Sequence, residues 1–550
     1  MQTPRLRAGL AAGLIFTFFG PVVLGVSANE GPRRAPPAWS QASIDLESVR
    51  QSRAETHAWL SRGAVMAGLE RPVRVQADED SLRALDEAVD ERPVRVGLAM
   101  LADAPVDLAG AAPLAARGGR KALGPGAIEV AADGSFVYSM AVTSPGATAM
   151  RLHFTGFHLP VQAAMYLYTA EGEVFGPYTG KGPLGDGDFW SHTLVGERIN
   201  LQVRYVGEEA GRALRQSRFK IAGVGHVRPK FMASTCSFNA SCVVDASCLE
   251  AQDPAVAQAR SAVAHMQWVS GRYLYICTGG LLNDTADSGR PWFLSANHCL
   301  SKGSEARSLE NFFQFVDSSC SNRDNCLTVR QLRESWPAEQ RTLGASIVST
   351  SRNTDHTLFE LAEAAPSGAA RLGWNAEAVA NSSQLLHRIS HPGGAPQSYS
   401  SHQVDPDGFT CTGYPRGNFI YSQSVVGATE GGSSGSPVVN GSGEVVGQLF
   451  GACGSNLGNK CDTVNNRNMD GAFAAYFSQV SQYLDPQPSN CTPSTEICDG
   501  LDNDCDGQID EGDVCGGGGG NGLPTGSACN VNSDCASNSC KGKPGAKVCK

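Results

Sequence analysis

Three short stretches of this 550-residue chain carry side chains able to act together. Glu430-Gly431-Gly432-Ser433-Ser434-Gly435-Ser436-Pro437 sets serines among glycines. On a tight turn the Ser434 hydroxyl is held out, while the backbone N–H groups of Ser434 and Gly432 aim at one spot. Such a spot stabilises an oxyanion. A serine hydroxyl is a weak nucleophile at neutral pH, so it needs a base within reach and an acid that fixes this base in one tautomer. Trp292-Phe293-Leu294-Ser295-Ala296-Asn297-His298-Cys299, an apolar strand ending in small residues and a histidine, offers the base. Asp355-His356-Thr357-Leu358-Phe359-Glu360-Leu361 offers the acid, at the entrance of a buried strand. Taken singly, each has a plainer reading: a Gly/Ser surface loop, a structural histidine, a structural aspartate. In the order His, Asp, Ser they point to acyl transfer.

Positioning these groups requires a folded frame, and the chain is long enough for several domains, since single cores stop growing near about 250–300 residues. Residues 1–28 read as a secretory signal, with Arg5 and Arg7, an apolar run from Ala8 to Val26, and Val26-Ser27-Ala28 as cleavage site. The net charge of -10, without any Lys/Arg run, argues against a nucleic-acid partner. No later stretch is long and apolar enough to be a transmembrane segment. All eighteen cysteines follow residue 235, which suits disulfides in an oxidising compartment.

Residues 29–92 read as a loose leader of a pro-region, with one short helix near 44–60. Residues 93–230 carry short alternating strands (95–100, 135–140, 150–154, 164–168 and 199–205), the pattern of an antiparallel β-sandwich without disulfides. Within it Phe175 to Gly182, followed by Asp188-Phe189-Trp190, is either a carbohydrate-binding face or a set of core and turn aromatics. Residues 207–230 look strand-poor, a processing region. Residues 231–488 are β-rich and contain cysteines, ending in an amphipathic helix over 472–484 that Pro486 and Pro488 stop. A Cys/Asp-rich piece (489–515), a Gly-rich linker (516–524) and a Cys-rich module (525–550) follow.

At the three chemical stretches the chain resembles chymotrypsin-like serine peptidases. Ser-Ala-Asn-His-Cys is similar to their Ala-Ala-His-Cys, the strand from Asp355 to their Asp-Ile-Ala-Leu-Leu, and Gly432 to Pro437 to Gly-Asp-Ser-Gly-Gly-Pro. Cys242 to Cys248, Cys277-Thr278-Gly279-Gly280-Leu281-Leu282-Asn283, Thr429-Glu430 and Val446-Gly447-Gln448-Leu449 resemble the bacterial lysyl endopeptidase branch over about 236–485. The resemblance implies a double antiparallel β-barrel, His298 as base, Asp355 orienting it, Ser434 attacking, and an oxyanion hole made by Gly432 and Ser434. It also implies the disulfides Cys277–Cys299, Cys248–Cys320 and Cys242–Cys453, leaving the pairing of Cys236, Cys326, Cys411 and Cys461 open.

Departures from the pattern matter. Ser433 stands where trypsin-type zymogens place the Asp that receives a new N-terminus, so that activation route is absent and the pro-region is expected to template folding and plug the enzyme. Cleavage is expected between Arg218 and Cys236, Lys230 being a candidate. Ala428 occupies the usual pocket-acid position. The lysyl branch's pocket Asp maps to Asn468; Asp470, two residues on, shares its side in a strand. Asp470 with Glu430 then makes an acidic pocket that prefers Lys or Arg, or else Asp470 binds a buried neighbour and the pocket is neutral. Phe450 and Gly451 fit the pocket wall.

In the tail, Asp502, Asp504, Asp506, Asp510 and Asp513 fall at positions 1, 3, 5, 9 and 12 of a loop in EF-hand register, with the Gln508 carbonyl as a further ligand. It is either a calcium site or a disulfide-stapled acidic turn without metal. The expectation is therefore a mostly β protein: a β-sandwich-like prodomain, a double-barrel peptidase and small Cys-rich modules. It would be a secreted, extracellular serine endopeptidase of bacterial type, acting on protein or peptide substrates, bound by its own prodomain and needing no catalytic cofactor. Its tail is a possible cell-surface contact. The alternative is an inactive peptidase-like adhesion or binding protein with a calcium-dependent tail.

Overall fold

The computed structural model describes residues 33–40, 46–87, 93–228, 239–248, 254–316, 340–379 and 383–486, with Cys320 and short pieces of the tail. From residue 385 six antiparallel strands close into a ring. Leu385–Ser390 pairs with Ser398–Val404, then follow Phe419–Val426, Asn466–Ala472, Glu444–Gly454 and Pro437–Val439, which returns to Leu385–Ser390. Their alternate residues Leu386, Val404, Ile420, Val438 and Val446 fill the interior. The preceding half forms a second curved sheet. Val263–Ser270, Tyr273–Leu282, Trp292–Ala296, His356–Leu361 and Ala345–Ser351 pair in that order, with Glu310–Phe313 and Arg341–Leu343 on the far flank. The expected terminal helix runs Phe473–Leu484 and lays Phe473, Tyr476, Phe477 and Val480 into the core at three- and four-residue spacing.

The N-terminal part is the expected sandwich. A seven-stranded sheet that includes Phe136–Thr143 and Arg198–Tyr205 faces a layer built from Ala149–His158, Arg218–Val227 and Val94–Asp107. Phe136, Met140, Leu152, Phe154, Leu201 and Ile221 lie in the core between them. Phe175, Tyr178 and Phe189 are buried in this core too, which favours packing over a carbohydrate face for those rings.

Two expectations fail here. The stretch 207–230 is not strand-poor: Ala210–Gln216 is a helix and Arg218–Val227 a strand paired on both sides. Gly223 and Gly225, which pack beneath the Trp190 ring, and the charges of Arg218 and Lys220 hide its alternation. A cut within 218–227 would sever a strand paired on both sides; Lys230 lies outside the described residues. Nor is the leader loose. Helix Leu46–Arg62 is docked through Leu60, buried with Tyr168 and Val174, while Arg34–Ala35 pairs with Gly373–Asn375, which in turn pairs with Glu444–Gly454 of the ring.

The sandwich and the C-terminal half share one sheet. Val94–Asp107 pairs with Arg218–Val227 on one side and with Tyr273–Leu282 on the other. A fully buried ion network reinforces the joint. Arg151 donates to the Ser308 carbonyl at 2.9 Å and lies 3.5 Å from Glu310. Glu310 accepts from the Thr193 hydroxyl at 2.6 Å and pairs with Arg341 at 3.1 Å.

Candidate active site

Asp355 precedes the strand His356–Leu361, which pairs with Trp292–Ala296, so the acid and the residues leading to His298 are brought side by side. One carboxylate oxygen accepts the His298 backbone N–H at 2.9 Å and the other faces Nδ1 at 2.7 Å. Asp355 is 3% exposed and has φ of 53°, a left-handed conformation that costs a non-glycine residue about 1–2 kcal/mol. Its carbonyl is clamped by the Asn297 N–H at 2.9 Å and by Gln448 Nε2 at 3.1 Å. Gln448 also donates to the Thr354 carbonyl at 3.0 Å and accepts from the Tyr476 hydroxyl at 2.6 Å. The terminal helix thus braces the acid through one buried amide. Sequence reasoning missed this role; a glutamine inside an apolar strand was the available signal, because buried amides need partners.

Ser434 sits at the corner of the turn expected from its glycines. Gly432 has φ of 95°, and a Cβ there would lie 2.7 Å from the His391 carbonyl oxygen. At Gly435 a Cβ would collide with Ser295 Oγ and the Thr278 carbonyl, so this glycine lets the turn rest on the strand that carries His298. Thr278 donates its N–H to the Ser434 carbonyl at 2.8 Å and its hydroxyl to the Gly432 carbonyl at 2.8 Å. No acceptor among the described residues takes the N–H of Gly432 or of Ser434, and the Ser434 hydroxyl has no hydrogen bond to a described residue. Ser433 is wholly buried and receives the Ser390 hydroxyl at 3.0 Å.

Beside Ser434 opens a pocket whose lining includes Glu430, Gly451, Asn468, Lys460 and Asp462. Three expected pocket residues stand elsewhere. Asp470 is 0% exposed and gives one oxygen to Arg388 at 2.6 Å; burial pushes its carboxyl above the usual range, with the guanidinium opposing that rise. Arg388 also donates to the carbonyl and hydroxyl of Ser436 at 3.0 and 3.1 Å, so this ion pair braces the Ser434 turn. Ala428 is buried outside the lining. Phe450 lines the neighbouring cleft, its ring edge-on to His298 with centroids 5.7 Å apart. Asn468 does form part of the wall, but its amide is engaged by the Thr429 hydroxyl at 2.8 Å and by Ser424 Oγ at 2.9 Å. Glu430 accepts the Ala240 N–H at 2.6 Å. Asp462 is held at about 2 by the Asn465 and Asn456 amides.

Cys277–Cys299 clamps the His298 loop and Cys248–Cys320 forms, as the resemblance implied. Cys242–Cys453 does not: Cys242 bonds Cys461, and Cys453 bonds Cys411. The reason is local, since Cys411 and Cys453 share an apolar cluster with Tyr414, Phe419 and Phe450. Cys236, Cys326 and the metal candidates Asp502, Asp504, Asp506, Gln508, Asp510 and Asp513 lie outside the described residues.

A mostly β fold with a closed six-stranded barrel thus carries a serine on a glycine turn and an aspartate-bound histidine, and the chain is a serine-type endopeptidase. Residues 238–469 match the family described as lysyl endopeptidase, C-terminal domain. The chain is 29% identical over 374 residues to a lysyl endopeptidase of Pseudomonas aeruginosa, covering 64% of this chain and 76% of that one. Among solved structures it is similar to a protease of M. tuberculosis in its active form (15% identity, TM-score 0.28, covering 43% of this chain and 86% of that one). A serine endoprotease from Yersinia pestis also matches (15% identity, TM-score 0.28, covering 42% and 67%).

Proposed function

We propose that the chain is a secreted endopeptidase, made as a precursor, that hydrolyses peptide bonds through an acyl-enzyme on Ser434. The observation that carries the reading is the two-point hold of Asp355 on His298. With Nδ1–H given to Asp355, Nε2 is the base that takes the Ser434 proton as Oγ attacks the carbonyl carbon. The N–H groups of Gly432 and Ser434 receive the developing oxyanion. His298 passes the proton to the leaving amine, and a water then repeats the sequence to free the acid and restore Ser434.

A preference for Lys or Arg before the cleaved bond is supported by Glu430 on the pocket wall and by the name of the Pseudomonas aeruginosa relative; Asp470, neutralised by Arg388, has no part in it. The apolar run and cleavage site of residues 1–28 support export, and the acidic loop from Asp502 to Asp513 supports a calcium ion with no catalytic part, in a tail suited to surface attachment. Cleavage-site profiling on a peptide library tests the preference: Lys/Arg should dominate, and Glu430→Gln should weaken that dominance by about tenfold. A neutral profile in the wild type discards this part. Calorimetric titration of the full chain with calcium alone should give binding, and no heat at millimolar calcium rejects the site.

A further inference from the structure

The strand that joins sandwich to peptidase also enters the cleft. Val94 pairs with Ile276, Arg95 with Tyr275, Gly97 with Leu274 and Leu98 with Tyr273. Two residues beyond Ile276, Thr278 holds the Ser434 turn, so the edge covered by this strand runs straight to the nucleophile. Val94 rests on that turn as well: a Cβ on Gly431 would lie 2.6 Å from Val94 Cγ2. Pro93 lines the same cleft as His298, Asp355 and Phe450. Ser434 lines a separate pocket with Glu430, Gly451 and Asn468, whose lining includes neither Pro93 nor His298.

These placements fix a direction. A peptide whose residue before the scissile bond fills the pocket must leave Ser434 across the Tyr273–Ile276 edge, extended and antiparallel to it. Val94 to Leu98 follows that path in that sense, its chain leading away from the cleft. We propose that this strand sits, as a substrate mimic, in the groove that receives the leaving-group side of a peptide substrate. The partner of the Tyr273–Ile276 edge is thus an extended chain added by strand pairing, supplied in the precursor by the pro-region and in turnover by the substrate. The buried network of Arg151, Glu310 and Arg341 ties together the same two parts that this strand joins. The proposal rests on the endopeptidase reading above.

The test uses the intact full chain and two substrates with the same residue before the cleaved bond. One is an anilide with nothing further; the other is a quenched peptide with four residues beyond it. The wild type should hydrolyse the anilide and be slow on the peptide. Val94→Asp places a charge in the apolar cluster of Val94, Ile276, Phe312 and Phe315. It should raise peptide cleavage about tenfold while anilide cleavage stays within about twofold, as expected when a few strand contacts are lost. Val94→Gly, which keeps the backbone and removes the contact, should move the same ratio in the same direction by less, and decides the matter if the aspartate variant does not fold. A peptide-to-anilide ratio unchanged in Val94→Gly overturns the proposal. Wild type that cleaves neither substrate, before or after processing, overturns the endopeptidase reading instead.

Discussion

Asp355 and Asp470 are both buried acids, yet they do opposite things with their charge. Asp355 spends both oxygens on the backbone and ring of His298, at the wall of the cleft. Asp470 meets a guanidinium within the six-stranded ring, and its charge ends there. The difference lies in the partner that the fold delivers: a strand pairing brings Asp355 to a histidine loop, while Arg388 projects from Leu385–Ser390 to Asp470 and Ser436. One acid holds a histidine at the cleft; the other is framework.

That contrast is open to mutation. Asp355→Asn should lower kcat roughly a thousandfold or more, because the imidazole loses its fixed tautomer; steady-state kinetics on a short ester checks it, and near-wild-type turnover would make the two acids equivalent. Asp470→Asn should instead cost about 3–5 kcal/mol of stability by leaving Arg388 buried without its counter-charge. Its cleavage profile should be unchanged, which urea denaturation and the peptide library read separately. Gln448→Leu removes the two bonds to the Thr354–Asp355 turn and should lower kcat about ten- to hundredfold with KM little changed. A drop in melting temperature with kcat intact would reduce Gln448 to framework.

The smallest effect comes from pH. Burial holds His356, stacked on Tyr476 behind the acid's turn, and His391, beside the nucleophile turn, down at about 4. Unfolded chains bind those protons near the ordinary histidine value of about 6.5, so the unfolded state carries more protons between the two values. Stability is therefore full above about 6.5 and falls as pH drops from there toward 4. Denaturation midpoints at pH 7 and pH 5 should differ in that sense; equal midpoints would show that these rings are solvated.

The sequence displayed local chemistry better than long-range partners. Glycines at Gly432 and Gly435 announced the turn because only a missing Cβ lets it approach His391 and Ser295. The two layers of the sandwich were legible in their alternation, except where Gly223 and Gly225 replaced side chains with space for Trp190. What stayed hidden was pairing across the chain. Cys453 chose Cys411, 42 residues away, over Cys242, and Asp470 found Arg388, 82 residues back. A buried Arg in the strand Leu385–Ser390 was a sign that an acid must meet it, since unpaired charge is not tolerated inside. The joining of sandwich and peptidase through Val94–Asp107 left no sequence signal, because strands pair through their backbones.

The most direct test is covalent labelling of the full chain with a fluorophosphonate, followed by mapping of the modified peptide. The label should sit on Ser434, and Asp355→Asn should slow its attachment while Asp470→Asn, where folded, should not. Correctly folded wild type that stays unlabelled, or a label on another serine, would contradict the account.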